Sequence, residues 1–535
     1  MVVLAESAFV RKATGLVREV GLVSGILFAL TFGTQIFSGV CCVIPFYSGY
    51  GNFVGNYWLA MVIGFVCVVL VLSVYAHFSA AMPRSGGDYV FLGRTMNPLL
   101  GFTTNFSFYC ILLVWSALNI SFFVSLIPLL GSTFLSQNAL SVFSTTGGMI
   151  GLAMVDWCIA LLQFTGMKWL MRFQAVTWII TFTAIAVTGA FMLNAVGRFP
   201  ALFNQWSLQY VPSVPDMYHK VINDAVAAGF NPNPAPEGPL MPATLAFAVA
   251  LIGQLLPYDA GIIYIAGEVK KAESAIRQHV IVIVAALGSF IVFIGTSLPW
   301  ILSAGNQFTG AFVYLGGSES GLPTTSYIWS LFPAIMPPWG VAFYAVSAIF
   351  CSITVYMICI AVGSRCMFAW SFDRLFPSFF ARVSERYKTP ITALLATHVL
   401  ALAIFIMTLV NPNIYTLFGA LFFFPLINVL VVCGSGLVFP FVRKDLYEQM
   451  PLKARIGKVP LLSIISFLAI ILVLWTASSY FTNMPFLASY GITYTMVIFG
   501  VSFWVIGIVI FFVSRAYNKR RGLDLSIAFK QIPPA

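Results

Sequence analysis

The sequence predicts an all-α integral membrane protein with about 12 transmembrane helices. Of its 535 residues, 60% are hydrophobic and only 8% are charged, and the mean hydropathy is +0.96. Soluble domains are roughly 25% charged. Apolar runs recur along the chain at about 20 residues, the length with which a helix crosses a bilayer. The first run starts near Leu22 and is too long for the core of a cleavable signal peptide, so it predicts a membrane span.

The apolar segments define predicted spans 1 to 12 in chain order. They cover residues 22–47, 54–80, 99–128, 148–165, 173–196, 243–267, 276–303, 339–368, 390–410, 413–441, 460–481 and 490–515. Residues 82–98, between spans 2 and 3, are predicted to be a polar loop. Residues 197–242 are rich in proline and predict a long extracellular loop, in which 216–229 fit a short amphipathic helix. A second outer loop is predicted at 304–338.

The basic residues predict the orientation of the chain. With alternating spans, 25 of the 27 lysines and arginines fall on the side of the N terminus, and only Arg198 and Lys220 fall on the other. Positive residues stay on the cytoplasmic side. Both tails, 1–21 and 516–535, are therefore predicted to be cytoplasmic in a multi-pass protein of the cell membrane. The net charge of +11 then reflects topology and attraction to anionic lipid, and predicts no nucleic-acid partner.

Span 6 carries an unusual interruption at Pro257, Tyr258, Asp259, Ala260 and Gly261. Proline inside a helix removes a backbone hydrogen bond at a cost of about 3 kcal/mol. A carboxylate at mid-membrane costs about 2.5–3.5 kcal/mol more. Broken backbone at membrane depth is tolerated only where protein or a water-filled cavity satisfies it. The segment therefore predicts a discontinuous helix that lines a site, and the alternative is a proline kink that only bends the span.

Span 1 has a matching interruption by small residues at Gly33, Ser38 and Gly39. Paired interruptions in corresponding halves indicate a transporter built from inverted repeats. The predicted repeats are 22–196 and 243–441, with 460–515 as two accessory helices, all in a single transport domain. Freed N–H groups at the start of a half-helix suit a carboxylate, and freed carbonyls suit an ammonium or a small cation. A zwitterionic amino acid matches both.

Four segments carry a family resemblance. They are Ile36-Phe37-Ser38-Gly39-Val40 in span 1, Pro83 to Tyr89 with Arg94 after span 2, Gly267-Glu268-Val269-Lys270 at the end of span 6, and Ser364-Arg365 with Asp373 to Pro377 after span 8. They resemble the amino acid–polyamine–organocation (APC) superfamily of permeases, which have the leucine-transporter fold. The resemblance covers about residues 15–440.

The resemblance implies a substrate site on the two interruptions. Backbone at Ser38, Gly39 and Val40 would bind the substrate carboxylate, and carbonyls at 34–37 and 256–259 would bind its ammonium. Two departures stand out: Phe37 replaces the first glycine of the span 1 motif, and Tyr258-Asp259-Ala260-Gly261 replaces Phe-x-Gly-x-Glu in span 6. The predicted substrate-binding residues are Phe37, Ser38, Gly39, Val40, Pro257, Tyr258, Asp259, Ala260 and Gly261.

Intramembrane polar residues are the candidates for ion coupling. Asp259 is predicted to bind a cationic group or relay a proton, or else to accept hydrogen bonds from freed N–H groups. Asp156, in span 4, is either a proton-coupling acid or a partner in a structural hydrogen bond. Ser352 and Thr354 in span 8 would supply oxygens to Na⁺, as the region does in sodium-coupled relatives, or pack helices together. Span 5, at 173–196, lacks the lysine of some proton-coupled relatives.

Other residues receive simpler interpretations. Tyr109 is predicted to gate the site as an aromatic lid, and His398 to be a packing histidine. Arg84 and Asp88 are predicted to pair with other loops as a cytoplasmic latch. None of the nine cysteines shows metal-ligand spacing, so no metal is predicted.

The predicted function is secondary active transport of amino acids or related amines by alternating access, as an ion-coupled symporter. Two alternatives are an amino acid or polyamine exchanger and a ligand sensor that does not transport. An enzyme is not expected, and no cofactor is expected beyond a coupling H⁺ or Na⁺. The predicted partners are the small-molecule substrate and membrane lipid, and the sequence does not determine an oligomeric state.

Overall fold

The computed structural model describes residues 14–44, 55–135, 140–317, 321–325, 327–411, 413–416, 420–448, 450–479, 494–525 and 529. Helices dominate these residues, and their only strands form one short hairpin, Arg455–Ile456 with Val459–Pro460. The all-α prediction is confirmed. Apolar side chains from most of the helices pack into one large core.

The first half of the described chain contains eight α-helices. They are α1 (Leu22–Gly33), α2 (Tyr57–Ala81), α3 (Asp88–Thr95), α4 (Pro98–Gly131), α5 (Thr146–Ala160), α6 (Met167–Asn194), α7 (Phe199–Ser207) and α8 (Met217–Ala227). A wide helical turn follows α1 at Gly39–Val43, and short 3₁₀ turns lie at Val142–Ser144 and Leu161–Thr165.

The second half contains eleven more. They are α9 (Pro242–Asp259), α10 (Gly261–Tyr264), α11 (Ala275–Ala304), α12 (Asn306–Tyr314), α13 (Pro338–Phe372), α14 (Ile391–Val410), α15 (Asn413–Thr416), α16 (Ala420–Val442), α17 (Lys444–Tyr447), α18 (Leu461–Ala477) and α19 (Tyr494–Arg520). Further 3₁₀ turns lie at Ala266–Glu268, Ile328–Ala334 and Ser378–Ala381.

Nine helices in the described residues are long and apolar enough to cross a membrane. Three shorter apolar helices, Leu22–Gly33, Pro242–Gly253 and Leu461–Ala477, lie at predicted spans 1, 6 and 11. The interruption of predicted span 1 after Gly33 accounts for the short first helix, whereas the second is part of α9, which extends to Asp259. The number of membrane crossings and the 5+5 repeat remain predictions.

Burial separates central helices from peripheral ones. Helices α4 and α13, from predicted spans 3 and 8, pack along each other and have 78% and 89% of their most apolar windows buried. The corresponding value is 22% for the helix that contains Asp156 and for α19. A helix that is apolar on all sides belongs either in a core or against lipid. The two central helices therefore lie in the core, and α13 also contacts α1 and α10 of the interrupted spans.

The connecting segments differ from their predictions. Residues 82–98 are not a polar loop throughout, because Asp88–Thr95 form helix α3 and are buried. Gly86 (φ +112°) and Gly87 (φ +58°) make the turn that starts this helix. Its apolar residues, Tyr89 to Leu92, pack into the bundle. The amphipathic helix predicted at 216–229 is present as α8, whereas α7 and α12 were not predicted in the loops that contain them.

Contacts among the loops define two ends of the bundle. The first, here called the basic face, joins the N-terminal segment to the end of predicted span 6: the Val20 N–H donates to the Glu268 carbonyl and the Lys270 N–H donates to the Val20 carbonyl, both at 2.9 Å. Arg18 also forms an ion pair with Glu273 at 3.0 Å. The opposite face carries α7, α8 and α12, where Tyr218 and Phe308 stack with ring centroids 4.8 Å apart.

Candidate functional site

Predicted span 1 is interrupted where the sequence indicated. Helix α1 ends at Gly33, and Thr34 is extended (φ −145°, ψ 142°). Residues 34–37 are not helical, and the chain winds again from Ser38. The Ser38 hydroxyl accepts a hydrogen bond from the Gln35 N–H at 2.9 Å, which closes the non-helical turn. The backbone here is thus held open by a local side-chain bond instead of helical pairing.

Predicted span 6 is also interrupted, but later than the sequence indicated. Helix α9 continues through Pro257 and Tyr258 to Asp259. Ala260 separates it from the single turn of α10, and the helix is replaced by a 3₁₀ turn after Tyr264. The prediction of an interruption over the whole of 257–261 is therefore wrong in extent. The proline lies within the helical range, and the discontinuity begins three residues after it.

The two interruptions touch each other through Asp259. A Cβ atom placed on Gly33 would lie 2.8 Å from the Asp259 Cγ, so the carboxyl group rests directly on the end of α1. Asp259 is 0% exposed. Its Oδ1 accepts one long bond, 3.4 Å, from the Ser289 hydroxyl of α11, and its Oδ2 has no hydrogen-bond partner in the described part of the chain. An ionised carboxyl group is unfavourable when it is buried with so few hydrogen-bond donors. Asp259 is therefore suited to bind either a cationic ligand or a proton.

Aromatic rings enclose this contact. The Tyr258 ring stacks on Trp115 of α4, with centroids 5.2 Å apart, and meets Phe32 of α1 edge-on at 5.3 Å. The Tyr258 hydroxyl and the Trp115 indole N–H are buried and have no hydrogen-bond partner within the described residues. Gly261 lets this cluster close, because a Cβ atom there would overlap the Phe32 ring. The place where the two interruptions meet, here called the crossing, is therefore lined by aromatic rings. Two polar atoms there have no hydrogen-bond partner in the described residues.

Gly39 and Val40, which are predicted to bind the substrate carboxylate, lie against α11, whereas Phe37 lies toward the opposite face. Gly39 is pressed against α11, where a Cβ atom would lie 2.7 Å from the Thr296 Cβ and 2.9 Å from the Ser297 nitrogen. Val40 lines a small cavity beside Thr296. The Phe37 side chain instead packs on Phe122 and Trp329, at 4.8 and 5.5 Å between ring centroids. Phe37 thus covers the interruption from the opposite face.

Ser352 and Thr354 make hydrogen bonds between helices. The Ser352 hydroxyl donates to the Asn119 carbonyl of α4 at 2.6 Å, and the Asn119 side-chain oxygen accepts from the Gln35 amide at 2.5 Å. Ser352 is thereby linked to the interruption of span 1. Thr354 faces α6, where its hydroxyl lies 3.0 Å from that of Thr177. Both hydroxyls are used in packing, which favours the packing interpretation over the sodium one.

Asp156 is not brought to the interruptions. It lies on α5, is 0% exposed, and has no hydrogen bond to either carboxyl oxygen in the part of the chain that the structure describes. The structural hydrogen bond considered for it is therefore not formed there.

Tyr109 points away from the Tyr258–Trp115 stack. Its hydroxyl lies 3.3 Å from that of Thr397 on α14, and its ring meets Trp370 of α13 edge-on at 5.2 Å. The neighbouring Phe108 instead packs against Tyr264, just beyond the span 6 interruption, with ring centroids 4.6 Å apart and the rings tilted by 32°. Gating by Tyr109 stays a prediction, and the contacts favour Phe108 for that position.

Asp88, one residue of the predicted latch, is held by a helix, and the latch itself stays a prediction. Asp88 accepts a hydrogen bond from the Asn105 amide of α4 at 2.5 Å, so it binds a helix instead of another loop. The Arg84 guanidinium donates to the Pro83 carbonyl at 3.1 Å. Asp88 lies in α3, outside the candidate spans, and burial raises its pKa to about 7 from 3.8. The buried Asp88 carboxyl group therefore titrates near neutral pH.

Two buried ion pairs close the basic face, and the sequence did not reveal them as pairs. Arg365 of α13 binds Glu268 through two bonds, of 2.8 and 3.0 Å. Arg94 of α3 binds Asp373 at 2.6 Å, and Tyr89 donates to the same carboxylate oxygen at 2.8 Å. The first pair connects the end of predicted span 6 to span 8. In the sequence, its two residues belong to separate motifs.

A large cavity opens on the opposite face, with a volume of about 690 Å³. Its lining contains hydroxyl, amide and aromatic groups and no charged side chain among the described residues. Trp329 is part of this lining and also contacts Phe37. A layer of rings, formed by Phe37, Phe122 and Trp329, therefore separates the cavity from the interruptions.

These features define a multi-pass helical membrane protein in which two interrupted helices meet inside the bundle. The profile of the amino acid permease family matches residues 23–519. The chain therefore belongs to the amino acid permease family, within the APC superfamily, which confirms the resemblance. This is a family of transporters and not of enzymes. A search of curated proteins found no match.

Proposed function

We propose that this protein carries amino acids or related amines across the cell membrane by alternating access, as an ion-coupled symporter. The observation that carries the proposal is the direct contact of the two interruptions, where Asp259 lies on Gly33. Interrupted helices that meet inside a bundle are the usual place for a transporter site. The family supports an amino acid as the cargo.

The crossing has groups for both ends of a zwitterion. The Asp259 carboxyl group and the non-helical backbone at 34–37 suit an ammonium group. The backbone from Ser38 to Val40 suits a carboxylate. The rings of Phe32, Trp115 and Tyr258 would surround an apolar or aromatic side chain. We therefore expect a neutral amino acid to bind better than a polyamine.

Closure on each side gives a physical basis for alternating access. The rings of Phe37, Phe122 and Trp329 close the route from the 690 Å³ cavity. The Glu268–Arg365 pair closes the basic face. The positive-inside pattern supports a cytoplasmic location for that face and for both termini. The arrangement is that of an occluded carrier, which would open by separating one of these closures at a time.

Uptake by the purified protein in proteoliposomes tests the proposal. Radiolabelled neutral amino acids should accumulate, and Asp259→Asn should abolish or strongly weaken uptake while the protein still inserts and unfolds at its usual temperature. Unchanged uptake would remove Asp259 from the site. Binding without flux would indicate a sensor, and flux only against internal substrate would indicate an exchanger. Replacing Na⁺ and adding a protonophore in turn identifies the coupling ion.

A further inference from the structure

A second buried polar cluster lies away from the interruptions, between α5, α13 and α14. The His398 ring is its centre: Nε2 lies 2.5 Å from the Gln163 amide nitrogen, and Nδ1 lies 2.9 Å from the Tyr356 hydroxyl. Trp157 and Phe164 pack edge-on against the same ring. The histidine is satisfied at both nitrogens, as a packing histidine would be.

The position of Asp156 indicates a role for this cluster beyond helix packing. It lies on the same buried stripe as Ala153, Ala160 and Gln163, so it faces the helices that hold His398 and Tyr356. Seven residues of helix place it about 10 Å from Gln163 along the axis. Its two carboxyl oxygens are buried, and neither has a hydrogen bond in the described chain. An ionised carboxylate is very unfavourable under those conditions, so the group is neutral in this state.

We propose that Asp156, Tyr356 and His398 form a proton-binding site, and that its occupancy is coupled to the Glu268–Arg365 ion pair. The proposal rests on the transport function above. It assigns the coupling ion as H⁺ and places its site outside the substrate crossing.

The hydrogen-bond chemistry of the cluster permits proton movement. With the Gln163 amide reversed, its oxygen accepts from the His398 Nε2–H, and Nδ1 then accepts the Tyr356 O–H. Asp156 has no hydrogen bond to Tyr356 in this state, so the step requires a conformation in which their hydroxyl groups meet. The Asp156 O–H bond then breaks as Tyr356 takes the proton and passes its own to Nδ1. The products are an Asp156 carboxylate and a His398 imidazolium. No further reactant is required.

The connection to the ion pair runs through the basic face. Gln163 and Arg365 line the same small cavity, of about 10 Å³, with Thr389 and Gly166. While Glu268 holds Arg365, the arginine charge is balanced. If the pair separates when the protein opens to the basic face, an unbalanced cation lies beside the cavity. That charge disfavours the imidazolium and favours the Asp156 carboxylate, so the proton leaves on that side.

The other titratable groups on the neighbouring helices are few. Tyr109 and Cys110 lie on α4, and Tyr109 contacts Thr397, next to His398. Cys359 lies on α13, three residues after Tyr356. Among the described residues that line the shared cavity, Arg365 is the one with a charged side chain. The charge balance of the site is therefore set mainly by Asp156, His398 and the Glu268–Arg365 pair.

Transport assays on Asp156→Asn test the coupling. We expect accumulation driven by a pH gradient to fall by about tenfold, whereas exchange of labelled for unlabelled amino acid at equal pH continues. Cys158→Ser, on the exposed face of the same helix, is the control and should keep both activities. Gradient-driven accumulation by Asp156→Asn at the wild-type level would overturn the proposal. Loss of exchange in a stably folded variant would also overturn it, since Asp156 would then belong to the substrate path.

Infrared difference spectroscopy tests the site without any substrate. The wild-type spectrum minus the Asp156→Asn spectrum should contain the C=O band of one protonated carboxylic acid that responds to pH, because the bands of Asp88 and Asp259 occur in both proteins and cancel. Tyr356→Phe, which removes only a hydroxyl group, should keep the band but slow its response. A difference spectrum without this band would overturn the proposal. If no amino acid is transported at all, the proposed function fails, and the infrared result still decides whether the proton site exists.

Discussion

Replacing Gly33 by alanine should separate the two interruptions. The added methyl group would lie 2.8 Å from the Asp259 Cγ, closer than real Cβ atoms approach other atoms, so the carboxyl group must move. Overpacking of this kind costs about 1–3 kcal/mol. If that cost falls on the substrate-binding conformation, affinity should drop by roughly 5- to 150-fold. Isothermal titration with the transported amino acid measures the affinity directly.

A matched glycine provides the control for this measurement. Gly151 is in α5, and a Cβ atom there would meet nothing within 4 Å. Gly151→Ala should therefore bind substrate as the wild type does. Thermal unfolding of both variants separates a lost site from a lost fold. Wild-type affinity in Gly33→Ala would refute the view that Asp259 must rest on the end of α1 for substrate to bind.

Two further predictions concern the basic face. Glu268→Gln leaves Arg365 buried without its counter-charge, at a cost of about 3–5 kcal/mol. Hydrogen exchange of the backbone amides at 265–270 should therefore be faster than in the wild type. Unchanged exchange would show that the ion pair does not hold this end of the bundle closed. The pKa of Asp88 is raised by burial from 3.8 to about 7, so the folded state holds this proton more tightly than the unfolded chain. The Asp88 contribution therefore makes the protein most stable below about pH 4 and less stable as pH rises through 7; thermal unfolding across that range should show the slope in the wild type, and an equal slope in Asp88→Asn would contradict it.

The interruption of span 1 could be read from the sequence because its cause is local. Gly33, Ser38 and Gly39 break the helical pattern within seven residues, and the structure breaks there. The interruption of span 6 lies later in the chain than the sequence predicted, because proline does not always end a helix. Pro257 lies within α9, and the chain leaves the helix only at Ala260. Local signals thus gave the existence of both interruptions but not the extent of the second.

Contacts between distant segments could not be read from the sequence. The residues of the Glu268–Arg365 pair are 97 positions apart, and those of the Arg94–Asp373 pair are 279 apart. Each residue was recognisable as part of a motif, but nothing local specifies its partner.

The position of Phe108 beside the span 6 interruption could not be read from the sequence for a related reason. Adjacent helical residues point about 100° apart, and the rotation of α4 against its neighbours decides which one faces the interruption. Asp156 shows the same limit, since its burial was expected but the absence of a hydrogen bond in the described residues depends on helix packing.

A structure of the protein with its transported amino acid bound would test the central claim most directly. We expect density for the ligand between residues 34–40 and 258–260, with its amino group beside Asp259 and its carboxylate beside the backbone of Ser38 to Val40. Density confined to the 690 Å³ cavity, or an unbroken helix through residues 33–42, would contradict the account.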